Sequence, residues 1–208
     1  MEFALEQITN IVFDLGEVII DLNIPGTVQK FADRSGKSAE EVRKIYSSSD
    51  VFLNYEKGLI SDEEFRSGAN QLLGTSYAAH EFDAIWNGML HRLPLERLQL
   101  LKKLSSRYRI FLLSNTNAIH LRQFTKMVQA VSGEKSMEDY FEKAYYSHEI
   151  KMRKPDAEIF QFVLKNSNLE PGQTLFLDDN EDNIIGAKAC GICAERILKP
   201  DQIFDIFK

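Results

Sequence analysis

Disulfide and zinc chemistry have little material in this sequence. Its only two cysteines, Cys190 and Cys193, form a single C-x-x-C in the stretch ACGICAE. A zinc site would need a second such pair or paired histidines, and the chain has neither. The four histidines, His80, His91, His120 and His148, show no metal-ligand spacing. Gly191-Ile192 between the cysteines reads as a helix end and a strand start, so both thiols are expected to be small packing residues. No apolar run approaches the roughly 20 residues that a membrane span needs. Lysine and arginine form no run or stripe, and the net charge is −6, so no nucleic-acid partner is expected. The N-terminal MEFALEQITN carries acids and no basic segment, so no secretory leader is expected. Repeats and low-complexity tracts are absent. These absences leave a cytoplasmic protein with no membrane partner as the simplest expectation.

What the chain does contain suits a packed core. Apolar residues make up 44% and charged residues 27% of 208 residues, which fits one large domain or a core of about 130 residues with an insert. Residues 8–14 (ITNIVFD), 109–113 (RIFLL), 143–147 (KAYYS) and 174–178 (TLFLD) read as strands, with residues 192–197 as an edge strand. Short apolar runs bounded by polar turns fit a parallel sheet buried on both faces. Helical spacing lies between them, over 95–106, 117–131, 156–166 and 181–190, with Pro155 suited to a first helical turn. This alternation predicts an α/β fold with a doubly wound parallel sheet.

Residues 22–92 break the rhythm. No strong strand signal occurs there, and four successive stretches (27–36, 38–50, 61–74 and 78–93) read as helices. Ser61-Asp62-Glu63-Glu64 predicts a capping box. Residues 1–21 and 93–208 are therefore expected to form the core, with 22–92 as a helical cap. An insert leaving the C-terminal end of a strand would sit over the ligand crevice of such a sheet.

The polar residues at the strand ends carry the chemistry. Asp14 follows the first strand, Ser114-Asn115-Thr116 the second, and Asp178-Asp179-Asn180 the fourth; Lys154 falls in the segment after the third. All lie on the edge where ligands of open α/β sheets bind. Three acids close together repel, and a hard divalent cation such as Mg2+ resolves the repulsion. Helix capping would account for Asp179 or Asn180 alone. It would not account for Asp14, which is followed by Leu15-Gly16 and no helix start. Gly16 is expected to let the chain turn sharply. Ser114 offers a hydroxyl, Asn115 a backbone N–H expected at a helix start, and Lys154 a charge. Singly these residues suit caps or solvated surface; together they suit phosphoryl transfer.

Four stretches in order, FDLGEVIID, LLSNTN, RKPDAEIF and LFLDDNEDNIIGAKACGI, resemble the four motifs of the haloacid dehalogenase superfamily, subfamily I. YEKGLISDEEF resembles the cap of the branch containing sugar-phosphate phosphatases. The resemblance implies a Mg2+-dependent phosphomonoester hydrolase acting on a small phosphorylated metabolite such as a sugar phosphate. It implies Asp14 as the nucleophile that becomes a phospho-aspartate, and Ser114, Asn115 and Lys154 as holders of the phosphoryl group. It also implies Asp14, the Gly16 carbonyl and Asp179 as the protein's share of the Mg2+ shell. Asp178 stands beside that set without an assigned role. Asn183, where relatives often have an acid, is expected to reach a metal-bound water at most. Many relatives carry a second Asp two residues after the nucleophile; Gly16 holds that place here, so the proton donor is unassigned. Strand alternation is expected to turn Glu17 away from the site.

Three other readings remain open at this stage. A 2-haloacid dehalogenase would use Asp14 without a metal. A catalytically weak phosphate-binding protein would fit Gly16. A receiver-type signalling domain uses similar residues, but in a different chain order. Trp86 and Met89 are expected to be packing residues of the cap.

Overall fold

Apolar side chains of the central strands alternate between two separate cores, which is why these strands read as continuous apolar runs. The computed structural model describes residues 5–208. Residues 1–4, part of the stretch expected to hold no leader, lie outside the described residues. In chain order the elements begin with β1 (Asn10–Phe13) and β2 (Asp21–Leu22). Five helices follow: α1 (Ile24–Ser35), α2 (Ala39–Ser48), α3 (Asp50–Glu56), α4 (Asp62–Leu73) and α5 (Ala79–Asn87). Then come β3 (Leu90–Arg92), α6 (Leu95–Leu104), β4 (Arg109–Ser114), α7 (Ala118–Ser132), β5 (Lys143–Tyr146) and α8 (Ser147–Ile150). The chain closes with α9 (Ala157–Ser167), β6 (Thr174–Asp178), α10 (Glu181–Ala189), β7 (Cys193–Arg196) and α11 (Gln202–Ile206).

Among the described residues the main sheet has five parallel strands in the order β5-β4-β1-β6-β7. β1 is central, and β7 is the edge strand expected from the sequence. Ile11, Phe13, Leu112 and Leu177 face a core shared with α6, α7 and α11. Val12, Phe111, Leu113 and Phe176 face the opposite core, shared with α9 and α10. A sheet covered on both faces by helices is the doubly wound arrangement. Its strand order places β4 and β6 on either side of β1, so their C-terminal ends open one crevice.

The five helices between β2 and β3 enclose a third core of Val28, Phe31, Phe65, Phe82, Trp86 and neighbours, which Ile119 of α7 joins. Phe65 is its centre: Tyr55 stacks on it at 4.0 Å, and Phe52, Phe82 and Trp86 surround it at 5.3–5.5 Å. Trp86 and Met89 are buried there, as packing residues. The capping box at Ser61 is present, and Ser38 with Glu41 forms another.

Two expectations for this region need correction. The stretch 78–93 is helical only to Asn87, and Leu90–Arg92 instead pairs antiparallel with Asp21–Leu22. A three-residue strand carries no periodic signal; Asp21 pairing with Arg92 and Arg97, and Asn23 N–H donating to the Met89 carbonyl at 2.8 Å, fix it through tertiary contacts. The stretch 38–50 is also broken, because Ser49 accepts from Val51 N–H and starts α3 as a separate helix. Elsewhere, α9 begins at Ala157 with Asp156 at its N-cap position, so Pro155 precedes the helix rather than filling its first turn. Cys190 and Cys193 are free, half-buried thiols against backbone carbonyls.

Candidate active site

Asp14 extends the pairing of β1 by one residue, donating its N–H to the Leu177 carbonyl at 2.8 Å. The carboxylate thus leaves the sheet where β1 and β6 end together. Asp178 ends β6 and Ser114 ends β4, both buried. Lys154 reaches this edge from the segment before α9. Its ammonium donates to Asp14 Oδ1 at 2.6 Å and to Asp178 Oδ2 at 2.6 Å, with only 1% of the residue exposed. Carboxylate oxygens of Asp14, Asp178 and Asp179 lie within 4.8 Å of one another. Groups up to 165 positions apart in the chain therefore share one crevice.

The electrostatics follow from burial. Burial pushes the Asp14 carboxyl up to about 7, with Asp178 adding to the rise and Lys154 opposing it. Asp179 is also raised, by burial first and then by Asp178. For Lys154, burial works against the charge, but Asp14 and Asp178 outweigh it and hold the ammonium above its ordinary range. The balance leaves excess negative charge at the strand ends. That donor set of hard oxygens fits a divalent cation such as Mg2+.

The sequence-derived residues do not all sit as expected. Asn115 is not at a helix start, because α7 begins at Ala118 with Asn117 as its N-cap. The Asn115 side chain instead clamps the main chain of Lys154, donating to its carbonyl at 2.9 Å and accepting from its N–H at 2.9 Å. Gly16 is not the left-handed residue of the turn; Glu17 is, at φ 54°. A Cβ at Gly16 would lie 2.8 Å from Leu22 Cδ1 and would push the end of that side chain aside. Glu17 is turned back on its own loop, accepting from Leu22 N–H at 2.8 Å. Asn180 caps α10. Asn183 donates to Asp178 Oδ1 and Oδ2, at 2.9 and 3.0 Å.

Sequence reasoning missed the contacts that tie the helical insert to this edge. Ser147 Oγ accepts from Thr116 N–H at 2.9 Å and donates to the Glu56 carbonyl at 2.7 Å. Arg153, beside Lys154, pairs with Glu56 at 2.8 Å. Tyr55 Oη donates to Asp62 at 2.6 Å and accepts from Ile119 N–H at 3.2 Å, and Arg122 pairs with Asp62. Gly58 lies so close to the His148 carbonyl that a Cβ would reach within 1.9 Å of it. His120 stacks on Trp86 at 4.8 Å and hydrogen-bonds the Trp86 carbonyl at 3.1 Å. Apart from the Tyr55–Asp62 bond, seven positions long, these contacts pair residues from distant segments and carry no local pattern.

A central β1 ending in an acid, flanked by a lysine and an acid pair, is a site architecture that comparison with known proteins identifies. Residues 8–191 match the family model of haloacid dehalogenase-like hydrolases. The D-ribitol-5-phosphate phosphatase of Bacteroides thetaiotaomicron is 34% identical over 185 residues, covering 89% of each chain. The chain belongs to the haloacid dehalogenase-like hydrolases, and is an enzyme of hydrolytic class. A solved HAD family enzyme of the same organism is 36% identical, covers 97% of this chain and 98% of its own, and superposes with a TM-score of 0.89. Its wild-type complex with magnesium and inorganic phosphate gives a TM-score of 0.81 over 91% of this chain and 93% of its own. L-2-haloacid dehalogenase of Xanthobacter autotrophicus shares the fold alone, at 18% identity and a TM-score of 0.60 over 91% of this chain and 77% of its own. Among the described residues, no helix is long and apolar enough to cross a membrane.

Proposed function

We propose that the protein is a Mg2+-dependent phosphomonoester hydrolase, acting on a small phosphorylated metabolite of the sugar or sugar-alcohol phosphate class through a phospho-aspartate at Asp14. The observation that carries this reading is the convergence of Lys154 with Asp14 and Asp178 at 2.6 Å, beside Asp179. The D-ribitol-5-phosphate phosphatase relative supports the substrate class, and the magnesium and phosphate complex of the similar HAD enzyme supports the cation. A dehalogenase reading leaves Asp179, beside Asp14 and Asp178, without a purpose.

Asp14, the Gly16 carbonyl and Asp179 would hold Mg2+, which when bound offsets charge on the phosphoryl oxygens. Ser114, Asn115 and Lys154 hold the phosphoryl group. Lys154 spends two of its three N–H donors on carboxylates and has one left for an anionic oxygen. Asp14 attacks phosphorus in line; the Asp14 O–P bond forms as the bond to the leaving alcohol oxygen breaks. Water then cleaves the acyl phosphate, returning Asp14 and releasing phosphate. The leaving alkoxide takes its proton from water, since position 16 has no side chain and Glu17 is turned to Leu22 N–H.

Residues 1–21 and 93–208 act as the catalytic core, and 22–92 as a cap over the crevice. The substrate is a diffusible small molecule, with no nucleic-acid or membrane partner, and the free thiols suit a cytoplasmic setting. The test is phosphate release from an aryl phosphate and a panel of pentitol and sugar phosphates, with and without Mg2+. Turnover should require Mg2+ and fall on the order of 10⁴-fold or more in Asp14→Asn, the scale of losing a nucleophile. Undiminished turnover in that variant overturns the reading.

A further inference from the structure

We infer that Asn183 is a positioning residue for the Lys154–Asp14 pair, acting through Asp178, and that Asp178 anchors the lysine rather than the metal. The inference rests on the phosphatase reading, which assigns the metal to Asp14 and Asp179. It starts from the saturation of Asp178. A carboxylate offers about four lone-pair directions. In Asp178 three donors cover them, with the single Asn183 amide nitrogen shared by both oxygens: Oδ1 accepts from Asn180 N–H at 2.8 Å and from the Asn183 amide at 2.9 Å. Oδ2 accepts from Lys154 Nζ at 2.6 Å and from the Asn183 amide at 3.0 Å. The residue has no exposed surface. A cation could bind it only by displacing one of these donors.

The chemistry of Asn183 points the same way. Its amide turns its N–H end, the positive end of its dipole, toward Asp178. The opposite orientation would set the amide oxygen against a carboxylate, so this one is chemically forced. An N–H face next to Asp178 repels a cation and attracts an anion. Asp179, by contrast, is half-buried, and among the described residues no side chain donates to its carboxylate. Its oxygens remain open for a metal.

The result is a buried chain of contacts, Asn183 to Asp178 to Lys154 to Asp14. Asn183 lies in the first turn of α10. That helix packs against the Lys154 segment so closely that a Cβ on Gly186 would lie 2.6 Å from the Pro155 carbonyl. Lys154 is thus fixed from two directions: Asn115 grips its main chain, and Asp178, steadied by Asn183, grips its ammonium. The expected consequence is a lysine held at one place beside Asp14. Loss of Asn183 lets the Asp178 carboxylate rotate and the ammonium drift with it.

The test uses Asn183→Leu, Asp178→Asn, Asp179→Asn and the double variant Asn183→Leu/Asp178→Asn. Each is measured for steady-state turnover of an aryl phosphate and for Mg2+ binding by calorimetry. Asn183→Leu should lower kcat about 10- to 100-fold, the usual range for residues that orient a functional group. Substrate KM and the Mg2+ Kd should stay within about threefold. Asp178→Asn should likewise spare Mg2+ binding, whereas Asp179→Asn should weaken it more than tenfold. The double variant should lose little more kcat than Asp178→Asn alone, since both act through one carboxylate. A tenfold loss of Mg2+ affinity in Asp178→Asn overturns the inference. So does an unchanged kcat in Asn183→Leu, which would leave Asn183 a packing residue of α10. Should the leucine variant not fold, Asn183→Ala takes its place with the same expectations. The calorimetric arm needs no turnover, so a protein that binds Mg2+ but hydrolyses no phosphomonoester would sink the phosphatase reading while still testing Asp178.

Discussion

At the sheet edge, Lys154 stays charged between two buried carboxylates. Under the helical insert, His120 is also buried but kept neutral. Its ring lies between the Trp86 carbonyl at 3.1 Å and the Asn117 amide at 3.2 Å. Those partners fix one tautomer: Nε2–H donates to the carbonyl, and Nδ1 accepts from the amide. Burial pushes the His120 imidazole down to about 4, against the weaker pull of the Trp86 carbonyl. One region holds polarity in the core by pairing charges; the other does so by removing the charge. The first arrangement is poised to take a cation and an anion. The second is a joint, where His120 of α7 meets Trp86 of the insert.

The two regions also carry opposite pH signatures. Asp14 has its folded value raised, so the native state keeps a proton that the unfolded chain has released between about pH 4 and 7. Its contribution to stability is lost as pH rises through that window. His120 has its folded value lowered, so the unfolded chain takes up a proton first. Its contribution is full above about pH 6.5 and is lost as pH falls toward 4.

The largest expected effect comes from breaking the charged region. Lys154→Met leaves two buried carboxylates facing each other without a cation. Stability in urea at pH 7.5 should fall by about 3–5 kcal/mol, the cost of breaking a buried ion pair. Mg2+ or acidification should recover part of that loss. A variant as stable as the wild type would mean that the lysine does not offset these carboxylates. The next effect sharpens the neutral region. His120 should cost the metal-free protein about 3 kcal/mol between pH 6.5 and 4. His120→Asn should remove that slope and expose the opposite one from Asp14, with stability rising as pH falls from 7. An unchanged pH profile would mean that His120 is not buried neutral. The smallest effect lies in the contacts between the regions. Tyr55→Phe removes the acceptor for the buried Ile119 N–H and the donor to Asp62. It should cost about 2 kcal/mol, read as a lower midpoint of thermal unfolding. Loss below a few tenths would show that water replaces the hydroxyl.

These two regions differed in how far they could be read from the chain. The sheet-edge residues were legible because each one ends or follows an apolar run, and the topology of a parallel sheet brings such ends together. Their partners were less so. Asn115 reads as an anion-binding backbone N–H, yet its side chain holds Lys154. Gly16 reads as the flexible turn residue, yet Glu17 takes the left-handed conformation. The joint was not legible. His120, Tyr55, Ser147 and Gly58 look like ordinary helix and loop residues, and the partners they meet across the joint lie 34 to 91 positions away. β3 was missed for the same reason: Leu90–Arg92 is a strand only because Asp21–Leu22 lies beside it.

The sequence by itself determined the parallel sheet, the helical character of the insert and the acids and lysine of the crevice. Periodicity and strand-end position are local properties, and they survive without knowledge of neighbours. Tertiary structure alone decided which oxygen each donor meets: that Asp178 faces Lys154 and Asn183, that Asp179 does not, and that His120 stays neutral. Hydrogen-bond saturation and desolvation depend on atoms from distant segments arriving within about 3 Å, and no local pattern encodes that arrival.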